Sequence, residues 1–232
     1  MRVRTLLFAA TAIGTLTLAS CAANAGLLAQ YSLDGGATFT PICSDVSGGS
    51  CGSSFSAGGL DFLLFGATSN SPGTPTAATL FSTSLRLENT SGAQQSILLS
   101  VGDTDFAAPA GSVTFLNNLA GTVVVGGAGN LLSSIACLDT GNGQNTCPAT
   151  YATPTINANI TAPGAGNATT TLPIAALAAP YSMTELISLT LDDGALLNYV
   201  SSSRVAPVPE PATLGVLGLG LLGLGMTKLR RR

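Results

Sequence analysis

The sequence predicts an all-β protein, an antiparallel β-sandwich body flanked by an N-terminal signal peptide and a C-terminal transmembrane sorting helix. Apolar and polar residues alternate along several short segments, and turn-forming residues separate these segments. No stretch of residues 26–205 carries an apolar stripe with the period and length of a helix. The chain also shows no repeat of fixed period, which argues against a solenoid or a propeller.

The predicted strands place every second side chain on one face. The alternating apolar residues are Leu60, Phe62 and Leu64; Leu85 and Leu87; Ile97, Leu99 and Val101; Val113 and Phe115; and Ile187, Leu189 and Leu191. Turns are predicted at residues 34–36, 71–73, 91–92, 141–143 and 192–194, where Gly, Asn, Asp, Ser and Pro cluster. Residues 147–180, which are rich in Ala, Thr, Asn and Pro, fit either a long loop or irregular edge strands.

Charge is scarce and segregated. Only 8% of residues are charged, and there is no His or Trp. The body, residues 26–205, holds ten acidic residues and two arginines, a formal net charge of −8. Such a body cannot neutralise phosphates, so nucleic-acid binding is excluded. Its surface must be built from neutral hydroxyl and amide side chains, which is typical of secreted, matrix-facing proteins.

The N-terminus, residues 1–25, has the three parts of a secretory signal peptide. Arg2 and Arg4 form a positive start, residues 6–19 are apolar, and Ala23 and Ala25 supply the small residues of a cleavage site. The apolar segment is short for the ~20 residues that span a bilayer. We therefore expect export through the Sec machinery. Residues 18–21 resemble a lipobox, so lipidation at Cys21 is the alternative processing.

The C-terminus, residues 206–232, has a different tripartite organisation. Alternating prolines at 207, 209 and 211 keep the backbone extended. Uncharged residues 212–227 then predict a short, glycine-weakened membrane helix, followed by Arg230, Arg231 and Arg232, which would remain on the cytoplasmic side. The glycines are not spaced four apart, so the helix lacks the common small-residue dimerisation motif.

The motif Pro209, Glu210 and Pro211, the apolar segment and the terminal arginines together resemble the PEP-CTERM sorting domain. This resemblance covers about the last 25 residues. It implies a Gram-negative host in which the tail holds the exported protein in the inner membrane until an exosortase processes it near Pro-Glu-Pro. The final location would be the cell surface or the extracellular space.

Four cysteines remain after cleavage at Ala25: Cys43, Cys51, Cys137 and Cys147. An even number in an exported chain predicts disulfides, for which three pairings exist. We favour Cys43 with Cys51 and Cys137 with Cys147, since each bridge closes a short loop. A zinc site is disfavoured because the chain has no His and no Cys-x-x-Cys pair.

The sequence predicts neither an enzyme nor a bound cofactor. Catalysis by a Ser-His-Asp or Cys-His site is impossible without His. A carboxylate pair for glycoside cleavage could come from Asp61, Asp103, Asp105 or Asp139, but nothing selects one. Asp103 and Asp105 form a weak calcium candidate, and residues 192–194 form another.

The leading hypothesis for function is a structural or interaction protein at the cell surface or in an exopolysaccharide matrix. A secreted module that binds carbohydrate, calcium or ice is the alternative. Ice binding would need a regular, flat threonine array, and Thr169, Thr170 and Thr171 form a run rather than an alternating ladder.

Overall fold

The computed structural model describes residues 26–46, 49–160 and 163–209. This part of the chain forms twelve strands and one turn of 3₁₀ helix, Ala149–Tyr151, and none of its helices is long and apolar enough to cross a membrane. The predicted signal peptide and the predicted membrane helix at 212–227 lie outside the described residues. The strands are β1 (Leu27–Ser32), β2 (Thr40–Asp45), β3 (Ser50–Ala57), β4 (Leu60–Ser69), β5 (Ala78–Asn89), β6 (Gln95–Phe106), β7 (Gly111–Val125), β8 (Leu131–Asp139), β9 (Ile156–Asn157), β10 (Gly164–Leu177), β11 (Tyr181–Leu191) and β12 (Leu196–Pro207).

The strands form two six-stranded sheets that pack face to face. Sheet 1 has the order β2-β1-β6-β11-β8-β9, and sheet 2 has the order β10-β7-β12-β5-β4-β3. All strand pairs in both sheets are antiparallel. The predicted antiparallel sandwich is therefore confirmed for the described residues.

The core lies between the sheets and follows the predicted alternation in three strands. The apolar residues expected to face inward on β6, β7 and β11 are almost completely buried. Burying one large apolar side chain contributes roughly 1.5–3 kcal/mol, so a few aromatic rings supply much of the core. The largest fully buried side chains are Phe62, Phe65, Phe106, Phe115, Tyr181 and Tyr199.

Two disulfides form with the favoured local pairing. Cys43–Cys51 joins β2, at the edge of sheet 1, to β3, at the edge of sheet 2. Cys137–Cys147 ties β8 to the loop that follows it. The bridged cysteines are 8 and 10 residues apart in sequence. By restricting the unfolded chain, each bridge adds roughly 2–3 kcal/mol to the free energy of unfolding.

The uncertain segment at 147–180 contains an edge strand rather than a long loop. After the 3₁₀ turn and the two-residue β9, the 14-residue β10 pairs with β7 along almost its whole length. Its inward residues up to Leu172 are only half-buried and include Ala and Thr, which weakens the apolar alternation that identifies a strand in sequence.

Sheet 2 contains a double β-bulge at its centre. Leu63 and Leu64 on β4 together oppose Ser54 on β3, and Leu85 and Arg86 on β5 together oppose Asn198 on β12. Strands β4 and β5 remain in register with each other. Thus β4 carries one residue more than β3, and β5 carries one more than β12, the defining feature of a bulge.

The double bulge contradicts two predicted core positions. Leu64 was expected to share a face with Leu60 and Phe62, but its side chain is 51% exposed, and Leu85 is 56% exposed while Leu87 is buried. The extra residue reverses the alternation, so that the next inward residue on β4 is Phe65. Period-two reasoning assumes an unbroken strand and fails at an inserted residue.

Arg86 holds the β5 bulge in a conformation that is unusual for a residue with a side chain. Its φ is 55°, in the left-handed region. Its backbone N–H donates to Asn198 Oδ1 at 2.6 Å, which fixes the bulge against β12. Glycine would adopt this φ without steric conflict, so the position keeps Arg at an energetic cost.

A buried carboxyl group lies between the sheets. Glu185 projects from β11 and accepts hydrogen bonds from Ser82 Oγ at 3.1 Å and Ser203 Oγ at 2.8 Å, both from sheet 2. The side chain is fully buried, and this burial raises the pKa of Glu185 to about 7. Removal from water disfavours the charged form more than the two serine hydroxyls stabilise it.

We expect the free energy of unfolding to fall as the pH rises from 5 to 8. The folded pKa of Glu185 lies above its unfolded value, so the folded state favours the protonated acid. That stabilisation is complete below the unfolded pKa and is lost as the pH rises through about 7. Between pH 5 and 8, the free energy of unfolding measured by urea titration should fall by about 3 kcal/mol less in Glu185→Gln than in the native chain.

The other glutamate of the body provides the matched control. Glu88 is partly exposed, so Glu88→Gln should keep the native dependence on pH. Identical pH dependence in Glu185→Gln and the native chain would show that Glu185 is not the responsible group.

The two arginines of the body provide a test of strain at the bulge. Arg86→Gly should leave the free energy of unfolding unchanged or raise it by up to about 1 kcal/mol, because glycine accepts the positive φ. Arg204→Gly, at an exposed position in the regular part of β12, should lower it by about 1 kcal/mol. Equal losses in both variants, measured by urea denaturation, would contradict strain at Arg86.

Candidate binding cleft

A cleft of about 500 Å³ opens on the outer face of sheet 2, next to the double bulge. Three adjacent strands, β3, β4 and β5, supply its walls. At the bulge both members of the pairs Leu63–Leu64 and Leu85–Arg86 are exposed, whereas a regular strand would turn one member of each pair inward. Leu63 and Arg86 line the cleft. The lining residues are Ser54, Phe55, Ser56, Asp61, Phe62, Leu63, Arg86 and Glu88.

An aromatic stack lies on the inner face of sheet 2, behind the cleft. Phe55 on β3 stacks on Phe62 of β4, with ring centroids 4.2 Å apart, and on Tyr31 of β1 at 5.5 Å. Phe55 is half-buried and packs against the core, because it alternates with the outward residues Ser54 and Ser56. On the outer face, Leu63 is 59% exposed and supplies the apolar surface of the cleft.

Asp61 places a fixed hydrogen-bond acceptor beside the stack. Ser56 Oγ donates to its Oδ1 at 2.5 Å, and Thr90 Oγ1 donates to its Oδ2 at 2.8 Å. These two hydrogen bonds hold the pKa of Asp61 below its ordinary value. The carboxylate is therefore ionised and oriented before any ligand arrives.

Arg86 and Glu88 form the opposite side of the cleft. Arg86 Nη2 lies 3.4 Å from Glu88 Oε2, and the two side chains are 60% and 38% exposed. Glu88 also stands directly across from Asp61 in the β4–β5 register. One guanidinium donor thus lies among two acceptors, giving the cleft a formal charge of −1.

This arrangement can recognise a polyhydroxylated ring. The C–H face of such a ring can pack on Leu63, while its hydroxyls donate to carboxylates and accept from the guanidinium. The negative balance of the cleft disfavours an anionic ligand.

A shallower trough of about 160 Å³ continues on the same face across β5, β12 and β7. Small or neutral side chains from all six strands form one register row through it, with no charged residue. This row consists of Gly52, Gly66, Thr83, Val200, Ala120 and Asn167. The trough thus gives the outer face of sheet 2 an uncharged track that leads to the charged cleft at Arg86.

The structure does not bring the predicted calcium candidates together as an open ligand set. Asp103 is buried, and this burial raises its pKa. Asp105 accepts a hydrogen bond from Asn142 Nδ2 at 2.6 Å and donates its own N–H to Asn142 Oδ1. Over residues 26–46, 49–160 and 163–209, no group of three or more acidic or cysteine side chains could hold a metal ion.

Other predicted carboxylates fix loops. Asp192 accepts from Gly129 N–H at 2.8 Å and from Gln94 Nε2 at 2.9 Å. Asp139 accepts from Thr146 Oγ1 at 2.6 Å, which holds its pKa below the usual value. These contacts join turns to neighbouring strands, as expected for Asp in loops.

The candidate residues at the termini fall mostly outside the described part. Pro209 is the last described residue; Glu210, Pro211, the three terminal arginines, Ala23, Ala25 and Cys21 lie beyond. β12 leads directly to this tail: Pro207 pairs with Val113, and Val208 N–H donates to the Ser112 carbonyl at 3.0 Å.

Sequence reasoning missed the cleft, although it named Asp61 as a carboxylate. The available signal was the succession Leu63-Leu64-Phe65, which breaks the alternation of β4, together with one of only two body arginines at position 86. Two residues pointing outward in succession indicate a bulge, and bulges occur often beside binding sites.

Two solved structures resemble this chain weakly. One is TmCBM61 in complex with beta-1,4-galactotriose, with 8% identity and a TM-score of 0.33, covering 60% of this chain and 86% of the other. The second is the enzymatically active domain of bacteriophage CBA120 tailspike protein 4, with 12% identity and a TM-score of 0.30. That match covers 60% of this chain and 19% of the tailspike chain. Similarity this low carries no argument about function.

No curated protein matches the chain. The C-terminal tail, however, matches the family model of the PEP-CTERM protein-sorting motif over residues 207–232. The match includes the Pro-Glu-Pro motif, the apolar segment and the terminal arginines, in the order that the sequence indicated. The chain therefore carries a PEP-CTERM protein-sorting motif, which implies export and processing by an exosortase.

Proposed function

We propose that this chain is a surface or extracellular-matrix protein that binds neutral polysaccharide through the cleft on sheet 2. Its role is structural or interactive, and no reaction is assigned to it. The single observation that carries the binding proposal is the preformed cleft, with its exposed leucine, its fixed carboxylate and its exposed arginine.

The charge distribution supports a neutral polymer as the ligand. The body has a formal net charge of −8, and the cleft, which is part of it, has a local balance of −1. A polyanion would meet repulsion from both. A neutral glycan contributes hydroxyls and C–H surfaces, which the cleft and the trough can contact.

Binding rather than cleavage fits the state of Asp61. A glycoside hydrolase needs one carboxylic acid with a raised pKa to protonate the leaving oxygen. The serine and threonine hydrogen bonds shift the pKa of Asp61 in the opposite direction. Asp61 therefore suits a permanent acceptor.

The tail supplies the route to the matrix. The signal peptide directs the chain through Sec, the apolar segment at 212–227 holds it in the inner membrane, and the exosortase acts near Pro-Glu-Pro. Because β12 ends at Pro207, the processing region follows the folded body immediately.

The sorting motif should be required for the final location. Replacing Pro209, Glu210 and Pro211 together by Ala should leave the unprocessed chain in the inner-membrane fraction of an exosortase-bearing host. Cell fractionation and immunoblotting would measure precursor and product. Pro207→Ala, which changes a proline just before the motif, should still be processed; native surface levels of the triple variant would refute the sorting role.

The cleft should bind neutral polysaccharide and lose that binding when Arg86 is removed. The probes are the neutral and the uronate-containing fractions of the host's exopolysaccharide, compared by affinity electrophoresis. Arg86→Ala and Asp61→Asn should each weaken binding of the neutral fraction at least tenfold, because each removes one fixed polar contact.

Arg204→Ala is the matched control for this experiment. Arg204 is the other arginine of the body and pairs with Thr79 and Leu116, outside the cleft lining. It should bind as the native chain does. Equal binding by Arg86→Ala, preference for the uronate fraction, or no binding of either fraction would overturn the proposal.

A further inference from the structure

The edge of sheet 2 formed by β10 is the longest edge of the two sheets. β10 runs for 14 residues and pairs with β7 on one side; no strand of the described residues pairs with its other side. An edge strand presents a row of backbone N–H and C=O groups that can pair with another strand.

The other three edges are shorter or tied. β9, at one edge of sheet 1, has two residues. β2 and β3, at the remaining edges, have six and eight residues and are joined by the Cys43–Cys51 bridge. β10 is thus the edge with the greatest capacity for a new strand.

β10 also has few of the features that prevent edge pairing. Natural edges commonly carry charges, bulges or prolines. Residues 140–184 contain no Asp, Glu, Lys or Arg, and the register irregularity of β10 lies only at its end, beyond Ile174. One proline, Pro173, interrupts the strand, so residues 164–172 remain available.

The inner face of β10 is incompletely covered. Ala168, Thr170 and Leu172 point inward but are only half-buried, whereas their partners on β7 are fully buried. The cause is the short β9, which leaves little of sheet 1 opposite β10. Apolar surface and unpaired backbone therefore coincide along this edge.

We propose that β10 pairs antiparallel with β10 of a second copy, so that two copies form one continuous twelve-stranded sheet. A two-fold axis through the strand pair makes the edge complementary to itself, since each copy offers the same uncharged run of Ala, Asn and Thr. The pairing satisfies edge backbone groups and covers Ala168 and Leu172 in the same step.

The absence of charge at this edge favours a second copy of the chain as the partner. Two bodies of net charge −8 repel each other across most of their surfaces. The neighbouring strand β7 is also without charge, so the uncharged surface at this edge is two strands wide. Here two copies can meet without bringing acidic side chains together.

Sedimentation velocity tests the proposal on the exported protein isolated from its host, in the form that export and tail processing leave. The native protein should be dimeric at micromolar concentration. Thr170→Lys should raise the dimer dissociation constant at least tenfold. The added ammonium group can reach water while the β10 edge is free, but a second strand paired with that edge would bury it. This readout needs no glycan, so its outcome is separate from that of the proposed function.

Two control variants separate edge pairing from a general effect. Thr170→Val keeps the size without the charge, and Thr68→Lys adds the same charge on the exposed face of β4; both should remain dimeric. Hydrogen exchange gives a second measurement: amides of residues 164–172 in the native protein should gain protection as concentration rises. A monomeric native protein, a Thr170→Lys dimer of native strength, or protection that does not depend on concentration would overturn the inference.

Discussion

The burial of one face of each sheet against the other is the constraint on which the rest of the structure depends. It requires every strand to keep its alternation in phase with its neighbours, because a slip of one residue would expose a set of apolar side chains. With aromatics at only 5% of the chain, a few rings such as Phe62, Phe65 and Phe115 are the largest side chains of a core made mainly of Leu, Ile, Val and Ala. Several serine and threonine side chains are buried as well, and this is the setting in which Glu185 is buried.

The double bulge is a controlled exception to that constraint. Because β4 and β5 each gain one residue, their mutual register is preserved and the inward phase recovers at Phe65 and Leu87. The exception is confined to a few outward residues, and these include the arginine of the cleft. The core and the candidate site are thus linked: the same inserted residues that interrupt the packing pattern create the polar cleft outside.

Much of the fold could be predicted from the sequence. Alternation in β6, β7 and β11, the turn residues, and the pairing of four cysteines into local bridges all depend on short-range patterns, and the structure contains them. The order of strands within each sheet depends on long-range pairing, for which a single sequence has no signal. β10 could not be assigned with certainty because half-buried Ala and Thr give a faint alternation.

The candidate site was less accessible to prediction than the tail. The sorting motif is a contiguous pattern, so its residues could be named directly, and the family model matches there. The cleft is assembled from three strands, and its key residue stands at a bulge that local periodicity misreads. Asp61 was named only as one of several carboxylates, since its partners Ser56 and Thr90 become neighbours through the β3–β4 hairpin and the end of β5.

The Cys43–Cys51 bridge has a consequence for how far assembly can proceed. It fastens together the two sheet edges on the side opposite β10, so a copy that pairs through β10 retains no comparable edge for a third. A fold with two open long edges could extend into a filament, as heterologous contacts do when they fail to close. The proposed two-fold pairing through β10 closes on itself, and the covalent tie leaves only the shorter β2 and β3 edges on the other side, so association would stop at two copies.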